Sequence, residues 1–324
     1  MITLHDIEEA RASIRREVNK TPLVRSGFLS DLCDGEVHLK LENQQITNSF
    51  KIRGALNRMM HLTPEEMQHG VIAASSGNHA QAVAIGAEKL NLAATVVVPE
   101  TTPKIKVEKI RKHRVHLILH GEMYDLAEQY AREVARKEGW TFISAYNDPY
   151  VVAGQGTVAL EILEDLPTVD TIIVPVSGGS LLGGIATAAK SIKPDVEILG
   201  VQPENTPAMY YSLKAGKIID VEMKRTIADG LDGNIEQGSV TFEIIRKYVN
   251  EVMLFNEETI KRAVRLLWEK ERQIAEGSGA ISIAPIITSR ERFARKKTVA
   301  VISGGNIDEA VFQEIMASQA LSSP

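Results

Sequence analysis

Short apolar runs alternate along the chain with longer amphipathic segments. The runs are VIAA (71–74), ATVVV (94–98), VHLIL (115–119), TIIVPV (171–176), EILGV (197–201) and TVAVI (298–302). A continuous apolar run suits a strand covered on both faces, as in a parallel sheet. Amphipathic segments such as 124–138 and 258–270 lie between the runs and read as helices, and 52–60 reads as another. Strands alternating with helices predict right-handed crossovers and an α/β fold. No internal repeat, low-complexity tract or Gly/Ser/Pro-rich linker interrupts the pattern.

Size adds to this picture: 324 residues exceed the roughly 250–300 at which one hydrophobic core stops growing, which predicts two cores. Hydrophobic residues at 44% and charged residues at 24% are those of an ordinary soluble globular protein. A net charge of -5 with no basic block argues against nucleic acid as a partner. The one cysteine, Cys33, has no internal disulfide partner, so a free thiol in a reducing cytoplasm is the expectation. The first 18 residues are charged and amphipathic, unlike a signal peptide, and no apolar run approaches the ~18 residues of a membrane helix.

Candidate chemistry lies where strands hand over to helices. In open α/β sheets, ligands bind beyond the carboxyl ends of strands, often at helix N-termini. Three segments have the required form: VIAA-SSGNHAQ (71–81), IIVPV-SGGSLLGG (172–184) and TVAVI-SGGN (298–306). In the second, Ser177, Gly178, Gly179 and Ser180 combine close backbone approach with hydroxyl donors, which suits a phosphate. The plain alternative is a tight turn that needs small residues. Neither the dinucleotide spacing G-x-G-x-x-G nor a Walker sequence occurs. In the first, Ser75, Ser76, Gly77, Asn78 and His79 offer two hydroxyls, an amide and an imidazole, a set able to grip a carboxylate. The plain alternative is a serine N-cap. Lys51 follows Phe50 at the start of the helical segment 52–60. Most lysines are solvated surface residues, but one desolvated in a pocket can form a Schiff base.

Taken in order, S-F-K-I-R-G-A, S-S-G-N-H, the Gly/Ser loop after V-P-V, and S-G-G-N resemble the fold-type II pyridoxal-phosphate enzymes, in the branch of threonine/serine dehydratases and serine racemase. T-P-L (21–23), K-L-E (40–42), G-Q-G-T (154–157) and T-I-A-D-G (226–230) extend the match over nearly the whole chain. The resemblance implies two open, twisted, mainly parallel sheets flanked by helices, as in tryptophan synthase β. It implies a large cofactor-binding domain (1–60 and 149–324), a small substrate-closing domain (70–147) and a homodimer. Pyridoxal 5'-phosphate would lie in the cleft between the domains. Lys51 would hold it covalently and remove the Cα proton, beside Phe50. Ser177, Gly178, Gly179, Ser180 and Leu181 would bind its phosphate. Asn78 would meet its ring hydroxyl, Glu276 would lie near the ring, and Ser303 would face the pyridine nitrogen. Ser75, Ser76, Gly77, Asn78 and His79 would hold the substrate carboxylate, and Ser76 would face the ring opposite Lys51. The implied reaction is dehydration and deamination of a small β-hydroxy amino acid such as L-threonine or L-serine to a 2-oxo acid and ammonia. Serine racemase is the runner-up. A dehydratase for 3-hydroxyaspartate or for a hydroxyectoine-pathway intermediate remains open.

The sequence departs from the family pattern in three places. Ser177 and Ser180 stand where glycines are usual, and the backbone donors survive. Asn48 stands for the usual glycine before Ser49, and asparagine tolerates positive φ. Relatives that hold a divalent cation place one carboxylate before a proline and another six positions later. Here those positions are Gln202 and Ala208, and Glu204 should point elsewhere, so no metal is expected. Only about one helix and a tail follow residues 303–306, so the short form without a regulatory domain is expected. An oxidoreductase would need the absent G-x-G-x-x-G turn, and the presence of Lys51 argues against a non-catalytic sensor.

Overall fold

The computed structural model describes residues 1–318; the polar tail at 319–324 lies outside the described residues. All six expected strands are present, and four more join them. In chain order they are β1 (Leu23–Ser26), β2 (Glu36–Lys40), β3 (Val71–Ala74), β4 (Ala94–Val98) and β5 (His116–Leu119). The rest are β6 (Thr141–Phe142), β7 (Thr171–Pro175), β8 (Glu197–Pro203), β9 (Glu251–Phe255) and β10 (Lys297–Val301). The expected helices form at Tyr124–Glu138, Glu257–Glu271 and Lys51–Met60.

The strands make two sheets, ordered β1-β2-β10-β7-β8-β9 and β5-β4-β3-β6. Every pairing is parallel except that of β1 with β2. β3, β4 and β7 are buried along their whole length, as their unbroken apolar runs require. β5 differs from the expectation of a buried strand. It sits at a sheet edge with His116 and Leu119 exposed, and edge position cannot be read from its own residues. Helices on both faces complete separate apolar clusters around each sheet.

The strand order places the site. In the larger sheet β10 and β7 are neighbours, so the loops leaving their carboxyl ends emerge side by side, at the point where such sheets bind ligands. In the smaller sheet the loop after β3 leaves from a central strand. These three loops are the Gly/Ser/Asn segments singled out in the sequence.

Candidate active site

Lys51 opens the Lys51–Met60 helix, and Asn48, three residues earlier, holds φ at 53°. That left-handed turn delivers the chain into the helix, and asparagine tolerates it. The start of the helix is fixed from below. Arg53 is fully buried and donates to Glu42 and Glu161, and Lys40 pairs with Glu161 in the same cluster. The G-Q-G-T segment packs against this helix: Gln155 Oε1 accepts from Gly54 N at 3.2 Å, and the Thr157 hydroxyl accepts from Arg53 at 3.2 Å.

The Lys51 side chain reaches a cleft of about 960 Å³ between the two sheets. Its Nζ donates to Ala145 O at 3.0 Å and lies 5.1 Å from the Phe50 ring centre. Burial pushes its amine down to about 8, against the opposing pull of the Glu276 carboxylate. Part of the amine is therefore neutral near pH 7 and available as nucleophile or base.

Across the cleft, Ser180–Ile192 begins at Gly179, whose φ of 91° is open to glycine and strained for most other residues. No side chain caps that helix, so its first N–H groups are free to meet an anion. The loop is held from behind. Thr241 Oγ1 donates to Gly178 O at 2.6 Å, and the Tyr146 ring lies so close that a Cβ at Gly178 would overlap it. The Tyr146 hydroxyl accepts from Glu236 N at 2.8 Å, and burial pushes it up to about 12.

The helix Asn78–Leu90 is also uncapped by a side chain, with Gly77 at its N-cap. Ser75 is not the cap; its hydroxyl accepts from Gly77 N at 3.1 Å. The Ser76 hydroxyl makes no hydrogen bond among the described residues and borders the cleft. His79 turns its imidazole inward to Ile143 O at 2.8 Å. Its burial, followed by the charge of Lys51, pushes the ring down to about 4, so it is neutral. The Asn78 amide is engaged by Glu276 and Asn306. With imidazole and amide committed, this loop offers an anion its backbone N–H groups and the serine hydroxyls.

Glu276 is buried at the far wall. Burial, reinforced by the charge of Asp229, raises its carboxyl to about 7, against the donated Asn78 and Asn306 hydrogen bonds. Ser303 is buried, and its hydroxyl donates to Ser278 O at 3.3 Å. Every residue expected from the sequence to hold cofactor or substrate borders this one cleft. Tyr146, Thr241 and Asn306 were missed. Asn306 stood in the S-G-G-N motif, but only the fold shows what it touches. Tyr146 and Thr241 carry no local signal, because their partners lie 90 and 63 residues away.

Fold and site together define a class: a two-sheet α/β protein in which a lysine faces an uncapped helix N-terminus across one cleft. The sequence model of the family described as "Pyridoxal-phosphate dependent enzyme" matches residues 14–304, and the chain belongs to that family. Among its relatives, an L-threonine ammonia-lyase of Thermotoga maritima is 45% identical over 98% of this chain and 78% of its own length. The catabolic L-threonine dehydratase TdcB of Staphylococcus aureus is 43% identical over 95% of this chain and 90% of its own. Among solved structures, maize serine racemase superposes with a TM-score of 0.91 at 35% identity, covering 97% of this chain and 96% of that one. Threonine deaminase isoform 2 of Solanum lycopersicum gives 0.92 at 34% identity, covering 96% and 86%.

The residues fit the family's cofactor. The uncapped helix at Gly179 suits its phosphate, Lys51 supplies a desolvated amine for its aldehyde, and Ser303 presents an uncharged hydroxyl rather than a carboxylate.

Proposed function

We propose that this enzyme dehydrates and deaminates a small β-hydroxy amino acid such as L-threonine or L-serine, giving a 2-oxo acid and ammonia. One observation carries the reading: an amine without an ion pair at the start of the Lys51 helix faces an uncapped helix N-terminus across a single cleft. The names of the threonine ammonia-lyase and dehydratase relatives support the same reaction.

Lys51, with Phe50 beside it, holds the cofactor. Ser177, Gly178, Gly179, Ser180 and Leu181 bind its phosphate through backbone N–H groups, and Tyr146 backs the loop. Asn78 and Glu276 would lie near the ring, and Ser303 would face its nitrogen. The bound cofactor supplies a conjugated sink for the electron pair left when the Cα proton departs. Lys51 takes that proton. Ser75, Ser76 and the N–H groups of Asn78 and His79 hold the substrate carboxylate at the positive end of a helix, with Gly77 N–H engaged by the Ser75 hydroxyl. Loss of water leaves an enamine, and its hydrolysis yields the 2-oxo acid and ammonia. Ser303, an uncharged hydroxyl, would add no charge at the ring nitrogen, which would keep the sink moderate.

Residues 70–147 close over residues 1–60 and 149–324 as the carboxylate binds. Lys106 to Asp229 at 2.8 Å and Arg132 to Glu236 at 3.1 Å support this, since both pairs bridge the cleft. The assembly is a homodimer, a reading supported by family resemblance and tested by sedimentation.

The purified protein should be yellow, borohydride should bleach it and fix the cofactor to Lys51, and L-threonine should release a 2-oxo acid. A colourless protein with no 2-oxo acid from threonine, serine or 3-hydroxyaspartate sinks the proposal. A second activity rests on Ser76, whose unengaged hydroxyl borders the cleft. It can return a proton on the face opposite Lys51, giving some racemisation. Ser76→Ala should abolish racemisation and largely spare elimination of the L-substrate; joint loss of both would assign Ser76 another role.

A further inference from the structure

Asn306 joins both sides of the cleft through a chain of hydrogen bonds whose polarity is fixed. Its Nδ2 donates to Thr47 O at 2.8 Å and to Asn78 Oδ1 at 2.7 Å. A main-chain carbonyl only accepts, so the Asn306 atom facing Thr47 is the nitrogen. Both hydrogens of that nitrogen are then committed. The Asn78 atom it meets must be the oxygen, which leaves Asn78 Nδ2 as the donor to Glu276 Oε1 at 2.7 Å. Turning the Asn78 amide over would set nitrogen against nitrogen and oxygen against carboxylate oxygen. Two hydrogen bonds would be lost, each of them part-buried. The Asn306 backbone N–H also donates to Glu276 Oε2 at 3.1 Å, so one residue steadies both partners of Asn78.

Asn78 opens the helix that follows β3, in the smaller sheet. Asn306 follows β10 of the larger sheet, and Glu276 immediately precedes the short helix Gly277–Ala280. The chain of bonds is complete only while the two sides of the cleft are together. One hydrogen of Asn78 Nδ2 has no protein partner among the described residues, and Asn78 borders the cleft.

We propose that Asn306 is a positioning residue: it locks the Asn78 amide so that an N–H, not the carbonyl, is presented to the oxygen substituent of the cofactor ring, and it does so only in the closed cleft. This inference rests on the pyridoxal-phosphate reading of the site. A donor at that oxygen sets the proton balance between the oxygen and the lysine-linked nitrogen, and with it the balance between the long-wavelength and near-ultraviolet absorption bands.

The test uses cofactor-saturated enzyme with Asn306→Asp, which keeps shape but removes the donor, and Asn306→Ser as a second, smaller replacement. Thermal unfolding of each variant identifies those that fold. In a folded variant the absorbance should move towards the near-ultraviolet band. kcat should fall on the order of tenfold to hundredfold, as is usual on losing a residue that orients a contacting group, with KM changed far less. A structural role alone would lower stability without moving the band ratio. A wild-type band ratio in a folded, cofactor-loaded variant therefore overturns the inference. A wild-type protein that takes up no cofactor overturns the cofactor reading and this inference together. A yellow wild type with indifferent Asn306 variants overturns this inference alone.

Discussion

Lys51 and Arg53 are two residues apart on one helix, Arg53 fully buried and Lys51 half-buried at the cleft, and they meet opposite electrostatic conditions. Arg53 touches two carboxylates, Glu42 and Glu161, and their charges hold its guanidinium protonated against its burial. Among the described residues the Lys51 amine hydrogen-bonds to a carbonyl and to no carboxylate, and burial drives it down to about 8. Desolvation acts on both cations, and the partners decide the outcome. A paired buried charge fixes the backbone, whereas an unpaired one becomes a reactive group. The helix uses the first to hold the second in place.

Removing the reactive member should give the largest effect. Lys51→Ala loses the covalent hold on the cofactor and the base together, so turnover should fall by several orders of magnitude and the yellow colour should be lost. Near-normal turnover in that variant would end the comparison. Removing the paired member should instead cost stability. Arg53→Ala leaves buried carboxylates without their partner, and urea denaturation should show a loss of about 3–5 kcal/mol. A loss below about 1 kcal/mol would mean that water reaches the cluster.

His79 extends the comparison to a group buried in its neutral form. Its folded value of about 4 lies below the ordinary 6.5 of a solvated imidazole. The unfolded chain therefore binds the extra proton between those values. Stability from neutral His79 is complete above pH 6.5 and is lost as pH falls towards 4. Glu276 shifts the other way, from 4.5 to about 7, and favours the folded state as pH falls through that range. The two partly cancel in wild type. The stability advantage of wild type over His79→Asn should shrink by about 3 kcal/mol between pH 7 and pH 4. A constant difference across that range would show that His79 is not held neutral.

At the rim, Lys106 and Asp229 form a pair whose partners are well solvated. Lys106→Ala should change stability by less than about 1 kcal/mol; a larger loss would place this pair with Arg53. The smallest expected effect is none. Gln202 is buried, and its Oε1 accepts from Tyr210 N at 3.1 Å, so a neutral amide ties the loop after β8. Chelator should leave activity unchanged at constant monovalent salt, and a several-fold loss reversed by Mg²⁺ would overturn that expectation.

Much of this protein was legible because its strands are buried on both faces. VIAA and ATVVV announce β3 and β4 without reference to anything else, and the loops behind such strands fall where parallel sheets bind ligands. β2 was missed because His38 and Lys40 break its apolar run. Lys40 is tolerated only because Glu161, 121 residues away, receives it. β1 is equally mixed, and β6 has two residues, whereas β9 carries the apolar run 252–255 and was overlooked. The serines of Ser75 and Ser76 looked like caps in sequence, yet the helix begins at Asn78 behind Gly77.

The sequence by itself determined the α/β class, the three Gly/Ser/Asn loops and the lysine, because apolar periodicity and turn chemistry are local properties of the chain. Only the tertiary structure decided which buried charges are paired, that the His79 imidazole turns inward to Ile143, and that Asn306 meets Asn78 across the cleft. Those outcomes depend on distances between residues far apart in the chain. The pKa of a buried group follows its neighbours in space rather than in sequence.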